Sequence, residues 1–124
     1  MSIALDHTIV PAKDKDASAR FFARIFGLEY AGPGGHFAAV KVNDNLTLDF
    51  AEYDGFDSHH LAFRTSRAEF DAIVARLQAE KIPFGSGPGS STDMKIGRRS
   101  GGHSFYFADP SGHSLQVLTA ADPS

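Results

Sequence analysis

Apolar and polar positions alternate through His103-Ser-Phe-Tyr-Phe-Ala108 and again from Ser114 to Thr119, with Asp109-Pro110-Ser111-Gly112 between them. Alternation marks half-buried strands, and Asp-Pro-Ser-Gly is turn chemistry, because Pro fixes φ and Gly tolerates φ > 0. The pattern predicts a hairpin. Leu115 and Val117 fall on one of its faces, Gln116 and Leu118 on the other. A buried Gln116 would need a hydrogen-bond partner. Pairing Leu115 with Phe107 sets Tyr106 beside Gln116.

Upstream, Ile3 to Val10 reads as a strand ending at Pro11. Asp14 or Asp16 can cap a helix over residues 17–26, with Phe21, Phe22, Ile25 and Phe26 as its apolar stripe and Gly27 as its stop. A short strand near Leu28 to Ala31 follows, then strands at His36 to Val42 and Leu46 to Glu52. The pattern then restarts. His59 to Arg64 is a strand. Ser66 and Glu69 form a capping box ahead of Phe70, Ile73, Val74 and Leu77 at helical spacing. Ile82 to Phe84 is a short strand, and the Gly- and Ser-rich stretch Gly85 to Gly102 reads as a long loop, either a lid or a flexible connector.

Both halves thus read strand, helix, strand, strand, strand, and residues repeat along with the pattern. His60 follows His7 at an offset of 53 (60 − 7), while His103, Leu115 and Gln116 follow His36, Leu48 and Asp49 at an offset of 67 (116 − 49). The prediction is an α+β chain, a single domain over 1–124 made of two βαβββ modules at about 1–54 and 57–119.

Composition narrows the function classes. The 124 residues carry a formal net charge of -3 and no Cys. That excludes disulfides and thiolate metal sites and leaves no basic patch of the kind nucleic acid requires. No apolar run approaches a membrane span, and the start lacks the charged and apolar regions of a signal peptide, so the expectation is a cytoplasmic protein.

Leu5-Asp6-His7-Thr-Ile-Val10, His60-Leu-Ala-Phe-Arg64 and Phe105-Tyr-Phe-Ala-Asp-Pro-Ser-Gly-His-Ser-Leu-Gln116 resemble the vicinal oxygen chelate superfamily. That group includes glyoxalase I, extradiol dioxygenases, fosfomycin-resistance transferases and bleomycin-binding proteins. The resemblance implies curved mixed sheets around a central cavity, commonly completed in a homodimer. It implies a divalent metal, such as Zn, Ni, Mn or Fe, held on the first and last strands of each module. Carried over by position, the ligands are His7, Asp49, His60 and Gln116. Many members have Glu where Gln116 stands. Two imidazoles and an amide leave a divalent ion uncompensated, which gives Asp49 the role of supplying charge.

Other residues are read with their alternatives. Asp49 shares its strand face with Thr47 and is either a ligand or a solvated side chain. Tyr106 is a proton-transfer or orienting group, or fills space. Arg64, on the face of His60, binds a carboxylate or phosphate or sits in solvent. His59 points to the opposite face from His60, and His36, His103 and His113 are expected to be exposed. The function implied is a metal-dependent enzyme acting on a small oxygen-rich substrate. A glyoxalase-like lyase or isomerase comes first, extradiol dioxygenation next, and a metal-free antibiotic-binding protein is the alternative.

Overall fold

The computed structural model describes residues 3–30, 32, 35–99 and 101–120. The chain forms two compact units, Met1–Asp57 and Ser58–Ser124, and each is described by itself.

The first unit contains β1 (His7–Ala12), α1 (Lys15–Phe26), β2 (Ala38–Lys41) and β3 (Thr47–Glu52). Its sheet order is β1-β3-β2, with β1 parallel and β2 antiparallel to β3. The first strand begins at His7, not at Ile3, and runs through Pro11 to Ala12 instead of ending at Pro11. Pro is tolerated because β1 is an edge strand. Asp14 is the helix cap, accepting the Ala17 N–H at 3.0 Å. Gly27 ends α1 at φ 72°, a left-handed conformation that costs Gly nothing. Phe22 and Ile25 of α1, with Val10, Val40, Leu48 and Phe50, are buried, and the rings of Phe22 and Phe50 lie 6.0 Å apart. Residues 28–30 form no strand, and Ala31 lies outside the described residues.

The second unit contains β4 (His60–Thr65), α2 (Arg67–Ala79), β5 (Gly97–Arg99), β6 (Gly102–Ala108) and β7 (Ser114–Thr119). Its order is β4-β7-β6-β5, with β4 parallel to β7 and the other pairs antiparallel. The Ser66–Glu69 capping box starts α2. Phe70, Ile73 and Leu77 are buried on one stripe of α2, and Phe70 meets Phe105 edge to face at 4.9 Å.

The expected strand at Ile82–Phe84 is absent. Its register would need an N–H that Pro83 lacks, and only Gly85 bridges onward, exchanging bonds of 2.9 and 2.8 Å with Tyr106. A Cβ at Gly85 would collide with the Ser90 carbonyl, so this approach requires Gly. The stretch after it is not one open loop. The Asp93 carboxylate accepts from the Ser86 hydroxyl at 2.6 Å and from the Ser86 and Lys95 N–H groups. The Ser86 bond above all holds the Asp93 carboxyl below its usual range. β5 then joins the outer edge of β6.

Candidate functional site

The two sheets present the same register. In the first unit His7 lies opposite Thr47, and Asp49 stands two residues further along β3. In the second His60 lies opposite Ser114, and Gln116 stands two residues further along β7. Ala39 pairs with Asp49 as Tyr106 pairs with Gln116. In each unit these residues occupy the sheet face away from the helix, because Leu48 and Phe50, or Leu115 and Val117, alternate with them into the core.

In the second unit, Gln116 is only 3% exposed and Ser104 2%. The Gln116 amide nitrogen donates to the Ser104 hydroxyl at 3.0 Å, which turns its oxygen toward His60. His60 Nε2 and Gln116 Oε1 are 3.1 Å apart. The ring of Tyr106, also buried, stacks on that of His60 with centroids 5.8 Å apart and planes at 23°. Gln116, His60 and Tyr106 are therefore brought together. Arg64 is not part of that group. It is exposed and four residues along β4, a distance of about 13 Å at the usual strand rise.

In the first unit, His7 is exposed and its Nδ1 lies 2.8 Å from the Asp6 carboxylate. That bond places the ring proton on Nδ1 and leaves Nε2 with its lone pair. The Asp6 hydrogen bond raises the His7 pKa above its ordinary value, and the charge of Asp49 adds a little. Asp49 is half-buried. Beyond it a cleft of about 390 Å³ is lined by Lys15, His36, Phe37, Ala51, Glu52 and Tyr53.

These donors suit a divalent ion. Neighbouring ligands of an octahedral ion with bonds of about 2.1 Å lie about 3 Å apart, which matches the His60–Gln116 spacing. An ion there would take the place of the Nε2 proton between them. His7 carries the outer carboxylate partner usual for a ligating imidazole. Among the described residues, no three His, Asp or Glu side chains gather closely enough to hold an ion.

Three participants escaped the sequence reading. Asp6 was adjacent to His7, and Ser104 shares the Tyr106 face two residues away; both were visible as spacings without a reason to choose them. His113 is the third. It was expected in solvent and is 0% exposed. His36 is exposed and His103 half-buried.

The architecture now has a name. A family model described as the Glyoxalase/Bleomycin resistance protein/Dioxygenase superfamily matches residues 4–117. The chain belongs to this superfamily. Among solved structures it is similar to "Oxidase ChaP-H2", with 38% identity, a TM-score of 0.89, and coverage of 100% of this chain and 98% of that one. It is likewise similar to "Oxidase ChaP-H1", at 39% identity and a TM-score of 0.87, with 98% of each chain covered. A lactoylglutathione lyase from Agrobacterium tumefaciens shares the fold at 24% identity and a TM-score of 0.70, over 95% of this chain and 92% of that one.

Proposed function

We propose that this superfamily member is a metal-dependent oxidase of a small, oxygen-rich organic molecule, with dioxygen as the electron acceptor. His7, Asp49, His60 and Gln116 are its metal ligands. The observation that supports this most is the matched register, which gives both units one imidazole and, two residues beyond its cross-strand partner, one oxygen donor. Oxidation is preferred to a lyase reaction because the relatives named as oxidases are 38% and 39% identical over nearly the whole chain. The lyase shares only 24%.

When bound, the ion supplies Lewis-acid stabilisation of an anionic oxygen on the substrate. The residues of the chain do the rest. Asp49 provides the negative charge that Gln116 lacks. Tyr106 holds or passes a proton through its phenol beside the His60 ring. Phe37 and Tyr53 offer ring faces to the organic part of the substrate, Lys15 attracts its acidic oxygens, and Arg64 attracts anionic substituents further out. The protein acts as a cytoplasmic homodimer; among its described residues no helix is long and apolar enough to cross a membrane.

One observation favours a second reading. A neutral Gln116 in place of Glu suits a glyoxalase-like isomerisation better than extradiol chemistry. Both are tested together by loading untagged protein with Fe, Mn, Ni or Zn and offering catechols and hydroquinones in an oxygen electrode, with a glutathione hemithioacetal in parallel. Oxygen uptake with the phenols supports the oxidase. Turnover of the hemithioacetal alone supports the isomerase. Ligand binding with no metal uptake would replace both with a binding protein.

A further inference from the structure

The turn between β6 and β7 does more than connect them. One Asp109 carboxylate oxygen accepts the N–H groups of Ser111 at 3.0 Å and His113 at 2.8 Å, and the Gly112 N–H bonds the Asp109 carbonyl at 3.0 Å. This turn directs the His113 ring into full burial. Its Nδ1 accepts the backbone N–H of His59 at 2.9 Å, across 54 residues of sequence. The Ser114 N–H returns a 2.9 Å bond to the His59 carbonyl, and the Ser58 hydroxyl donates to the Gly112 carbonyl at 2.8 Å. The two imidazole rings of His59 and His113 lie 5.1 Å apart.

These bonds fall just before the parallel pairing of β4 and β7, which begins at His60 opposite Ser114. A parallel pair has no tight hairpin turn to fix its register. A slip of one residue would turn His60 to the core face and bring Leu61 toward Gln116. We infer that His113 is a positioning residue that fixes the register of β4 on β7, and thereby the approach of His60 to Gln116. Its consequence for metal binding rests on the function proposed above; the register claim does not.

Two substitutions separate an acceptor from mere bulk. In His113→Asn the amide oxygen stands near the position of Nδ1 and still accepts. His113→Leu fills similar space without an acceptor. Amide exchange at His59 is followed by NMR, Mn and Zn affinities by calorimetry, and global stability by urea. In His113→Leu, exchange at His59 and Leu61 should rise at least about tenfold beyond the rest of β4 and β7, and metal affinity should fall about tenfold or more. In His113→Asn both should stay within about threefold of wild type. A Leu variant that keeps His59 protected and its metal affinity intact would overturn the inference. So would an Asn variant that loses as much as Leu, or exchange that rises uniformly over both strands. If His113→Leu fails to fold, the Asn variant decides by the same two readouts. If wild type takes up no metal, the metal reading fails and the exchange data alone judge His113.

Discussion

The two units hold their candidate ligands in one register but in opposite surroundings. In the first, His7 stands in the open with the Asp6 carboxylate on it, and Asp49 is half-buried opposite the small Ala39. In the second, Gln116 is buried between Ser104, Tyr106 and His60. The difference follows from the cost of burying charge. An ionised carboxylate in the Gln116 position would lose its hydration, whereas an amide there loses little once both its atoms are bonded. The carboxylate of Asp49 therefore stands in the more open position, and the neutral amide of Gln116 in the buried one.

The largest break should come from the imidazoles. His7→Ala and His60→Ala should each lower metal affinity by more than about 100-fold, beyond the usual loss of an outer partner, although both residues are exposed and only the His60 ring is stacked on a neighbour, Tyr106. Calorimetric titration of untagged protein measures both. The oxygen donors should then separate the units. Gln116→Glu should destabilise the metal-free protein by about 1–3 kcal/mol while tightening metal binding. Asp49→Asn should leave metal-free stability within about 0.5 kcal/mol and weaken binding. Urea unfolding with and without metal reads the contrast.

A smaller effect is expected at Ser104. Replacing it with Ala orphans the buried Gln116 N–H and should cost about 1–2 kcal/mol. Phe37, which occupies the matching place in the first unit and is partly exposed, should cost less when replaced by Ala. The smallest effect concerns pH. Asp6 raises the His7 pKa in the folded protein. Any stabilisation from that pair is therefore complete below the unfolded pKa and is lost as pH rises through the folded one. Asp6→Asn should return the His7 titration, followed by NMR, toward its ordinary value. Metal uptake at His7 should then extend to lower pH, because less acid is needed to keep the proton on the wild-type ring.

Much of this fold was legible because its signals are short-range. Asp14, Gly27 and the Ser66–Glu69 box lie within a turn of the helix ends they set, and both helices formed where these residues indicated. The β6–β7 register followed from matching Phe107 to Leu115, since a half-buried hairpin tolerates no slip. What escaped depends on partners distant in sequence. A His after a Pro-Ser-Gly turn reads as solvent-exposed, and only the His59 N–H, far upstream, explains why His113 is buried. The Gly85–Gly102 stretch hid β5 for a similar reason: three residues show no alternation, and the Ser86–Asp93 bonds that hold the preceding segment leave no periodic trace. The candidate ligands were carried over from the family resemblance onto positions that the internal repeat, itself a long-range signal, also pairs. Their bonding partners Asp6 and Ser104 lacked that support.

The proposed divalent-metal site comprises His7, Asp49, His60 and Gln116. Its most direct test is calorimetric titration of Mn, Ni and Zn into wild type, Asp49→Ala, Gln116→Glu and the double variant, all without a His tag. If Asp49 already compensates charge that Gln116 cannot, Gln116→Glu should tighten binding about tenfold in the Asp49→Ala background and distinctly less in wild type, a coupling of about 1 kcal/mol. Equal gains in the two backgrounds would contradict the assignment of Asp49. Absence of metal uptake by folded wild type and by folded Gln116→Glu would contradict the metal centre itself.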